Sequence, residues 1–218
     1  MTENRTEEPQ QNFIQAQSRI ERTMSESPIR IALPEEIGKV TYAMTVAFAA
    51  DPFMRWMYPD ADAYVKHFPK FVETFSGAAF HCEAAFVDES FGAACMWFPP
   101  GTDPDEEPLG QHVRETIEPE KLADIGEYFR QMEDFHPDEE LWYLPMVGVD
   151  ARFQGQGLGA RLMNWALART DEMGLPTYLE SSNPANITFY KRLGYEAIGK
   201  IQTSDDSPLI TPMYRAAR

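Results

Sequence analysis

The segment from Val147 to Met163 constrains the fold of this chain more than any other. A short apolar strand, Val147-Gly148-Val149, runs into a turn carrying Gly155, Gly157 and Gly159. That turn leads directly into an amphipathic helix. Without Cβ atoms at these positions, backbone N–H groups can approach an anion closely. The first turn of the helix adds unpaired N–H groups and the positive end of its dipole at the same spot. A strand, a glycine turn and a helix in this order require an α/β arrangement, and the turn suits a pyrophosphate.

Two common phosphate loops fit poorly. A P-loop needs Lys followed by Ser or Thr after its second glycine, and neither pair follows here. The dinucleotide fingerprint needs Gly-x-Gly-x-x-Gly after the first strand of its domain, whereas this run reads Gly-x-Gly-x-Gly and lies two-thirds of the way along the chain. Gln154, Gly157 and Gly159 instead fit the pattern Gln/Arg-x-x-Gly-x-Gly/Ala. A second block follows downstream, with Asn186, Phe189, Tyr190, Gly194 and Tyr195 spaced as Asn-x-x-Phe-Tyr-x-x-x-Gly-Tyr. Together the two blocks resemble the acetyl-CoA loop and C-terminal motif of the GCN5-related N-acetyltransferase (GNAT) superfamily. Within it, residues 142–195 are most similar to the puromycin N-acetyltransferases. The N-terminal half, which by that resemblance would shape the acceptor pocket, matches far less clearly.

Composition narrows the reading. The 218 residues are enough for one domain with a substantial core, and 43% hydrophobic content suits a globular chain. No apolar run reaches the length of a membrane span, and the N-terminus is polar and acidic, so neither a membrane span nor a secretory signal is expected. Cys82 and Cys95 are too few for a disulfide framework, which points to a reducing cytoplasm and to buried structural thiols. A net charge of −16 argues against a nucleic-acid partner. The acid is concentrated: between Asp103 and Glu140 stand fourteen Asp/Glu against three Lys/Arg. Such a run is either a solvated face or a field that draws a cationic amine toward the site. Four scattered histidines offer no zinc spacing, so no metal is expected.

Residues 1–27 carry few large apolar side chains and read as a mobile tail; residues 28–218 read as a single domain, with a cofactor-binding core at about 141–199. Periodicity predicts a strand at 28–33, a helix from Pro34 to about Ala49 ended by Asp51-Pro52, and a helix over 61–79. Paired strands follow at 84–87 and 91–98, then an acidic connector and a helix over 119–132. The remainder alternates: strand 141–149, helix 157–173, strand 176–181, helix 184–192, and strands 195–201 and 209–215. This order predicts a mixed α/β domain. The resemblance implies a central sheet of six to seven strands, helices on both faces and a splayed central strand pair.

The resemblance also assigns roles. Backbone N–H groups of Gly155, Gln156, Gly157, Leu158, Gly159 and Ala160 would hold the pyrophosphate of acetyl-CoA, with Gln154 and Arg161 adding side-chain contacts. The rival reading is plain turn chemistry. Met146, Val147, Gly148 and Val149 would pair with the pantetheine arm, and an amide near Val147 or Gly148 would donate to the thioester oxygen. Pro145 removes a ladder hydrogen bond, which fits a splayed or bulged strand as well as an incidental edge position. Tyr190 matches the general acid toward the leaving thiolate, or is an ordinary helix-face aromatic. Asn186 would bond the pantetheine arm or cap its helix. Glu180 is the first choice of general base, with His136, Glu139 and Glu140 behind it. Phe53, Trp56, Tyr58 and Trp97 would line an acceptor pocket, or simply pack.

The expected protein is thus a monomeric or homodimeric, acetyl-CoA-dependent N-acetyltransferase acting on a primary amine of a small molecule in a ternary complex. A protein or peptide N-acetyltransferase and a non-catalytic acyl-CoA sensor are the alternatives.

Overall fold

The computed structural model describes residues 28–218, so the expected N-terminal tail lies outside the described residues. The sheet has seven strands: β1 (Ile29–Ile31), β2 (Ala85–Asp88), β3 (Ala93–Phe98), β4 (Trp142–Val149), β5 (Thr177–Ser181), β6 (Glu196–Ala197) and β7 (Thr211–Arg215). Their spatial order is β1-β2-β3-β4-β5-β7-β6. Every pairing is antiparallel except β4 with β5. Those two strands are joined by α6 (Leu158–Glu172), because parallel neighbours need a crossover.

Period-2 alternation along β3 divides the interior into two cores. Ala94, Met96 and Phe98 face the helices α1 (Ile37–Ala47), α2 (Pro52–Met57), α3 (Ala61–Ser76), α4 (Glu106–Thr116) and α5 (Leu122–Phe135). Ala93, Cys95 and Trp97 face α6 and α7 (Ile187–Arg192). The larger core is unusually aromatic. Tyr64, Phe68, Phe71 and Phe75 on α3 form a stacked ladder with centroid spacings of 4.8, 5.9 and 5.4 Å.

The decisive irregularity lies in β4. Its ladder with β5 holds only Trp142↔Thr177 and Tyr143↔Tyr178, while its ladder with β3 continues to Ala93↔Val149. Opposite Trp97 the β3–β4 register slips. Trp142 and Leu144 belong to the α6 core, yet Met146 belongs to the other one, and Val147 and Val149 pack again toward α6. The parity switch falls on Pro145, which has no N–H to give to a ladder. One bulge therefore re-aims the strand and coincides with its separation from β5.

Two helices exceed the sequence reading. Asp51-Pro52 does not merely end α1; it starts α2, with the Asp51 carboxylate accepting from Phe53 N at 3.0 Å and Met54 N at 3.1 Å. The expected acidic connector contains α4. Its glutamates offered no apolar stripe; only Leu109 and Val113, one turn apart, are buried. The expected pair of buried thiols is corrected in one member: Cys95 is buried, but Cys82 is exposed.

At the far end of the sheet, the Arg215 guanidinium on β7 makes a two-point ion pair with Asp171 of α6, at 2.7 and 2.8 Å, while only 3% exposed. Asp171→Ala would strand a buried cation. The expected loss is about 3 kcal/mol of unfolding free energy in urea denaturation, at the low end for a broken buried pair because Asp171 itself is half-buried. A loss under about 0.5 kcal/mol would mean that the pair does not anchor α6 to β7.

Candidate active site

Where β4 leaves β5, a narrow cavity of about 70 Å³ opens between them. Met146 and Val147 line one wall, and Glu180, Ser182, Asn186 and Tyr190 the other. Phe53 of α2 lies against it. The cavity follows directly from the bulge: past Leu144, the β5-facing edge of β4 has no strand partner.

Glu180 follows Tyr178 by two residues, so both side chains lie on the α5 face of the sheet. Its carboxyl is half-buried and pushed up to about 7, chiefly because burial penalises the charged form, while the Tyr143 and Tyr178 hydroxyls beside it act in the opposite direction. The Tyr178 hydroxyl itself is fully buried, with the Glu180 carboxyl as its polar neighbour. Tyr190 approaches from the α7 side, 6% exposed, and burial together with the Asp51 charge raises its phenol well above the usual range. Such a phenol keeps its proton at neutral pH.

The glycine turn sits at the start of α6. Gly155 and Gly157 hold φ of +76° and +80°, and a Cβ built at either would project into open space. The left-handed backbone, rather than crowding, is what calls for glycine at both. Gly159 differs: a Cβ there would come 3.0 Å from Val149 Cγ2, so this glycine lets α6 approach β4. Gly148 plays the same part on the other face, where a Cβ would meet Ala47 Cβ at 2.7 Å. The Gln154 amide donates to Val149 O at 2.9 Å, which ties the loop back to its strand. An open turn with positive-φ glycines at a helix start, beside an unpaired strand edge, fits a phosphate-bearing pantetheine thioester.

The structure sorts the remaining candidate residues. Asn186 stands at the start of α7 but makes no side-chain cap; Asn183, accepting from Ala185 N at 3.0 Å, caps the preceding turn. Of the four aromatic candidates for the acceptor pocket, only Phe53 reaches the cavity. Trp56 packs on Tyr128 and beneath Lys121, and the Tyr58 hydroxyl pairs with Thr116 Oγ1 at 3.0 Å. Trp97 is fully buried in the α6 core, on the face away from Glu180. Its parity with Cys95 puts it there, since Phe98 takes the cavity face.

A second cavity, about 1260 Å³, opens beyond Glu180 between α4, α5 and the end of β3. Phe75, Phe129, Met132, Tyr143 and Glu180 line both. His136, Glu139 and Glu140 are on the larger one, and the His136 ring stands edge-on to Tyr143 and Tyr178. Sequence reading missed Asp51 and Ser182. The Ser182 hydroxyl donates to the Asp51 carboxylate at 2.7 Å, joining the start of α2 to the end of β5. Their separation of 131 residues left no local signal. Among the described residues no cluster of His, Cys, Asp and Glu could hold a metal.

A sheet split between parallel strands, with a glycine-lined helix start at the split, is the framework of split-sheet acyltransferases. A family model described as the acetyltransferase (GNAT) family matches residues 69–195, more than half of the chain, and the chain belongs to that family. A curated relative, an uncharacterised N-acetyltransferase of Schizosaccharomyces pombe, is 40% identical over 58 residues, 27% of this chain and 24% of the relative. The chain thus spans only about a quarter of that relative's length. Among solved structures, an acetyltransferase of Corynebacterium glutamicum described as histone acetyltransferase HPA2 and related acetyltransferase superposes with TM-score 0.59. It is 23% identical, over 88% of this chain and 97% of that one. A Drosophila melanogaster polyamine N-acetyltransferase superposes with TM-score 0.61 at 15% identity, over 87% and 99% of the two chains. These structural likenesses concern the fold.

The raised Glu180 carboxyl has a stability consequence. Its folded value near 7 lies above the ordinary 4.5, so the folded state holds an extra proton between the two, and stability falls as pH rises through that window. Glu180→Gln removes this contribution. Its denaturation midpoint should gain on the parent protein between pH 5 and pH 8, and parallel midpoints across that range would refute the buried-acid assignment.

Proposed function

We propose that this chain is an acetyl-CoA-dependent N-acetyltransferase that acetylates a primary amine of a small molecule by direct attack in a ternary complex. The observation that carries the reading is that a carboxyl raised to about 7 and a protonated phenol line the same slot, opposite the unpaired edge of β4. Acetyl-CoA supplies the activated acyl group. The turn from Gly155 to Ala160 would hold its pyrophosphate, with the N–H groups of the α6 start as donors. The free edge of β4 at Met146, Val147, Gly148 and Val149 would align the pantetheine arm, and an amide near Val147 would polarise the thioester oxygen. Asn186, uncommitted to a cap, is available to that arm.

Glu180 would take the proton of the incoming ammonium, directly or through a water. A carboxylate near 7 is better matched to an amine than one near 4.5. The free amine then attacks the carbonyl carbon; a C–N bond forms and the C–S bond breaks. Tyr190 gives its proton to the departing thiolate, and the second proton shed by the acylated nitrogen restores the phenol, so the amide and the free thiol leave with Glu180 holding the remaining proton. Phe53 would form the apolar wall of the acceptor subsite, with Phe75 and Phe129 in place of the aromatics that pack elsewhere. The resemblance noted for residues 142–195 makes a puromycin-like amine, an aliphatic amino group beside an aromatic ring, one acceptor to test. Two free thiols, one exposed, support a reducing cytoplasm as the working compartment.

Three variants test the roles through free-thiol release from acetyl-CoA. Glu180→Gln should lower turnover by about 10²–10⁴-fold and abolish a rise in kcat/KM centred near pH 7. Tyr190→Phe should lower kcat with little change in acetyl-CoA affinity; unchanged turnover at saturation would remove Tyr190 from the acid role. Gly157→Val should instead raise the KM for acetyl-CoA by roughly tenfold or more, the worth of one hydrogen bond to a charged group.

A further inference from the structure

The two cavities meet at a constriction. Phe75 of α3, Phe129 and Met132 of α5 and Tyr143 of β4 line both, and Glu180 lies at the same level. The Phe75 and Phe129 rings stand 6.5 Å apart between centroids, within the range of an aromatic contact, so no carbon chain passes between them. Tyr143 is braced by Phe98 at 6.0 Å and by His136 at 5.6 Å. That leaves Met132, unbranched and with three rotatable bonds, as the adjustable member of the constriction.

The backbone that carries Phe129 and Met132 is held from two directions. Tyr128, 1% exposed, stands edge-on to Phe53 at 4.9 Å, and its hydroxyl donates to Pro208 O. Phe129 and Met132 are themselves half-buried, because they face the cavities as well as the core. One turn apart on α5, they present neighbouring side chains. The space on the inner side is about 70 Å³, little more than the share of two waters in the liquid at about 30 Å³ each. On the outer side it is about 1260 Å³. A pantetheine thioester laid along β4 would take up most of the inner space. What remains admits an amino nitrogen and the carbon that bears it, while the body of the amine stays outside.

Resting on the acetyltransferase reading, we propose that Phe129 and Met132 determine specificity by selecting against branching at the carbon that carries the amino group. An unbranched aminomethyl terminus passes them and reaches Glu180. A methyl branch on that carbon meets the Phe129 ring or the Met132 thioether, and the nitrogen stops short of the carboxyl. A misplacement of about 1 Å costs on the order of 10²-fold in rate, so the selection is read in kcat/KM although the body of the amine still fits the larger cavity. An amine on a branched carbon, as in puromycin, therefore ranks behind an unbranched one.

The test measures thiol release from acetyl-CoA by the full chain with butylamine and sec-butylamine, which share their carbon count and differ in the branch. Branching also slows uncatalysed aminolysis, so each kcat/KM ratio is compared with the ratio in the uncatalysed reaction. The parent protein should favour butylamine by about tenfold or more beyond that reference. Met132→Ala and Phe129→Ala should each cut the preference by about threefold or more, chiefly by raising the value for sec-butylamine, with the KM for acetyl-CoA unchanged. Met132→Leu, which conserves volume, should keep the parent preference, and melting curves check the folding of all three. A parent ratio equal to the uncatalysed one would overturn the assignment and leave the acetyltransferase reading intact. So would a parent-like ratio in both folded alanine variants, or turnover of the puromycin-like amine with butylamine silent. No thiol release with any primary amine while acetyl-CoA binds would overturn the acetyltransferase reading, and this assignment with it.

Discussion

The separation of β4 from β5 is the constraint on which the rest of the molecule depends. Two parallel strands that pair at only two positions leave a row of backbone groups without ladder partners. Unpaired backbone is costly when buried, and it persists where a ligand can supply the missing hydrogen bonds. The bulge at Pro145 makes the separation local. It keeps β4 paired to β3 through Val149, so the sheet stays continuous on one side of the slot while it opens on the other. The glycine turn then lies at the end of the same strand, and Glu180 and Tyr190 come to the opposite wall from β5 and α7.

The walls of the slot are held by contacts remote in sequence. Asp51 caps α2 and takes a hydrogen bond from Ser182, so one carboxylate fixes the helix carrying Phe53 to the end of the strand carrying Glu180. Gly148 permits α1 to rest on β4, and Gly159 permits α6 to rest on its other face. A strand gripped this closely from both sides has little freedom to drift back toward β5. The same burial that fixes the walls sets their acid–base character: it raises the Glu180 carboxyl into the neutral range and pushes the Tyr190 phenol further above its ordinary value. Packing and chemistry are therefore one property of the slot.

Much of this was legible in the chain. The strand, turn and helix from Val147 onward, the block around Tyr190, and the proline inside β4 all announced themselves through local rules of backbone geometry. Trp97 shows a rule left unapplied: its parity with Cys95 places it away from the cavity, and alternation alone carries that information. Trp56 and Tyr58 lie in a segment dense in aromatics, and composition could not say which ring turns inward to a pocket and which to a core. The helix at 106–116 was hidden by its glutamates, because only two buried positions mark its inner face.

By itself, then, the sequence determined the side of the slot proposed to hold acetyl-CoA: glycines where backbone must bend left, a proline where a ladder must break, and a helix start aimed at the turn. These are short-range constraints, written within a few residues of one another. The side proposed for the acceptor was decided only by tertiary structure. Asp51 meets Ser182 across 131 residues, and Glu180 acquires its neutral-range carboxyl from burial beside Tyr143 and Tyr178. The acidic stretch from Asp103 to Glu140 becomes a cavity wall only when α4 and α5 fold over the sheet. Burial, field and enclosure are properties of the assembled neighbours, and no single stretch of chain contains them.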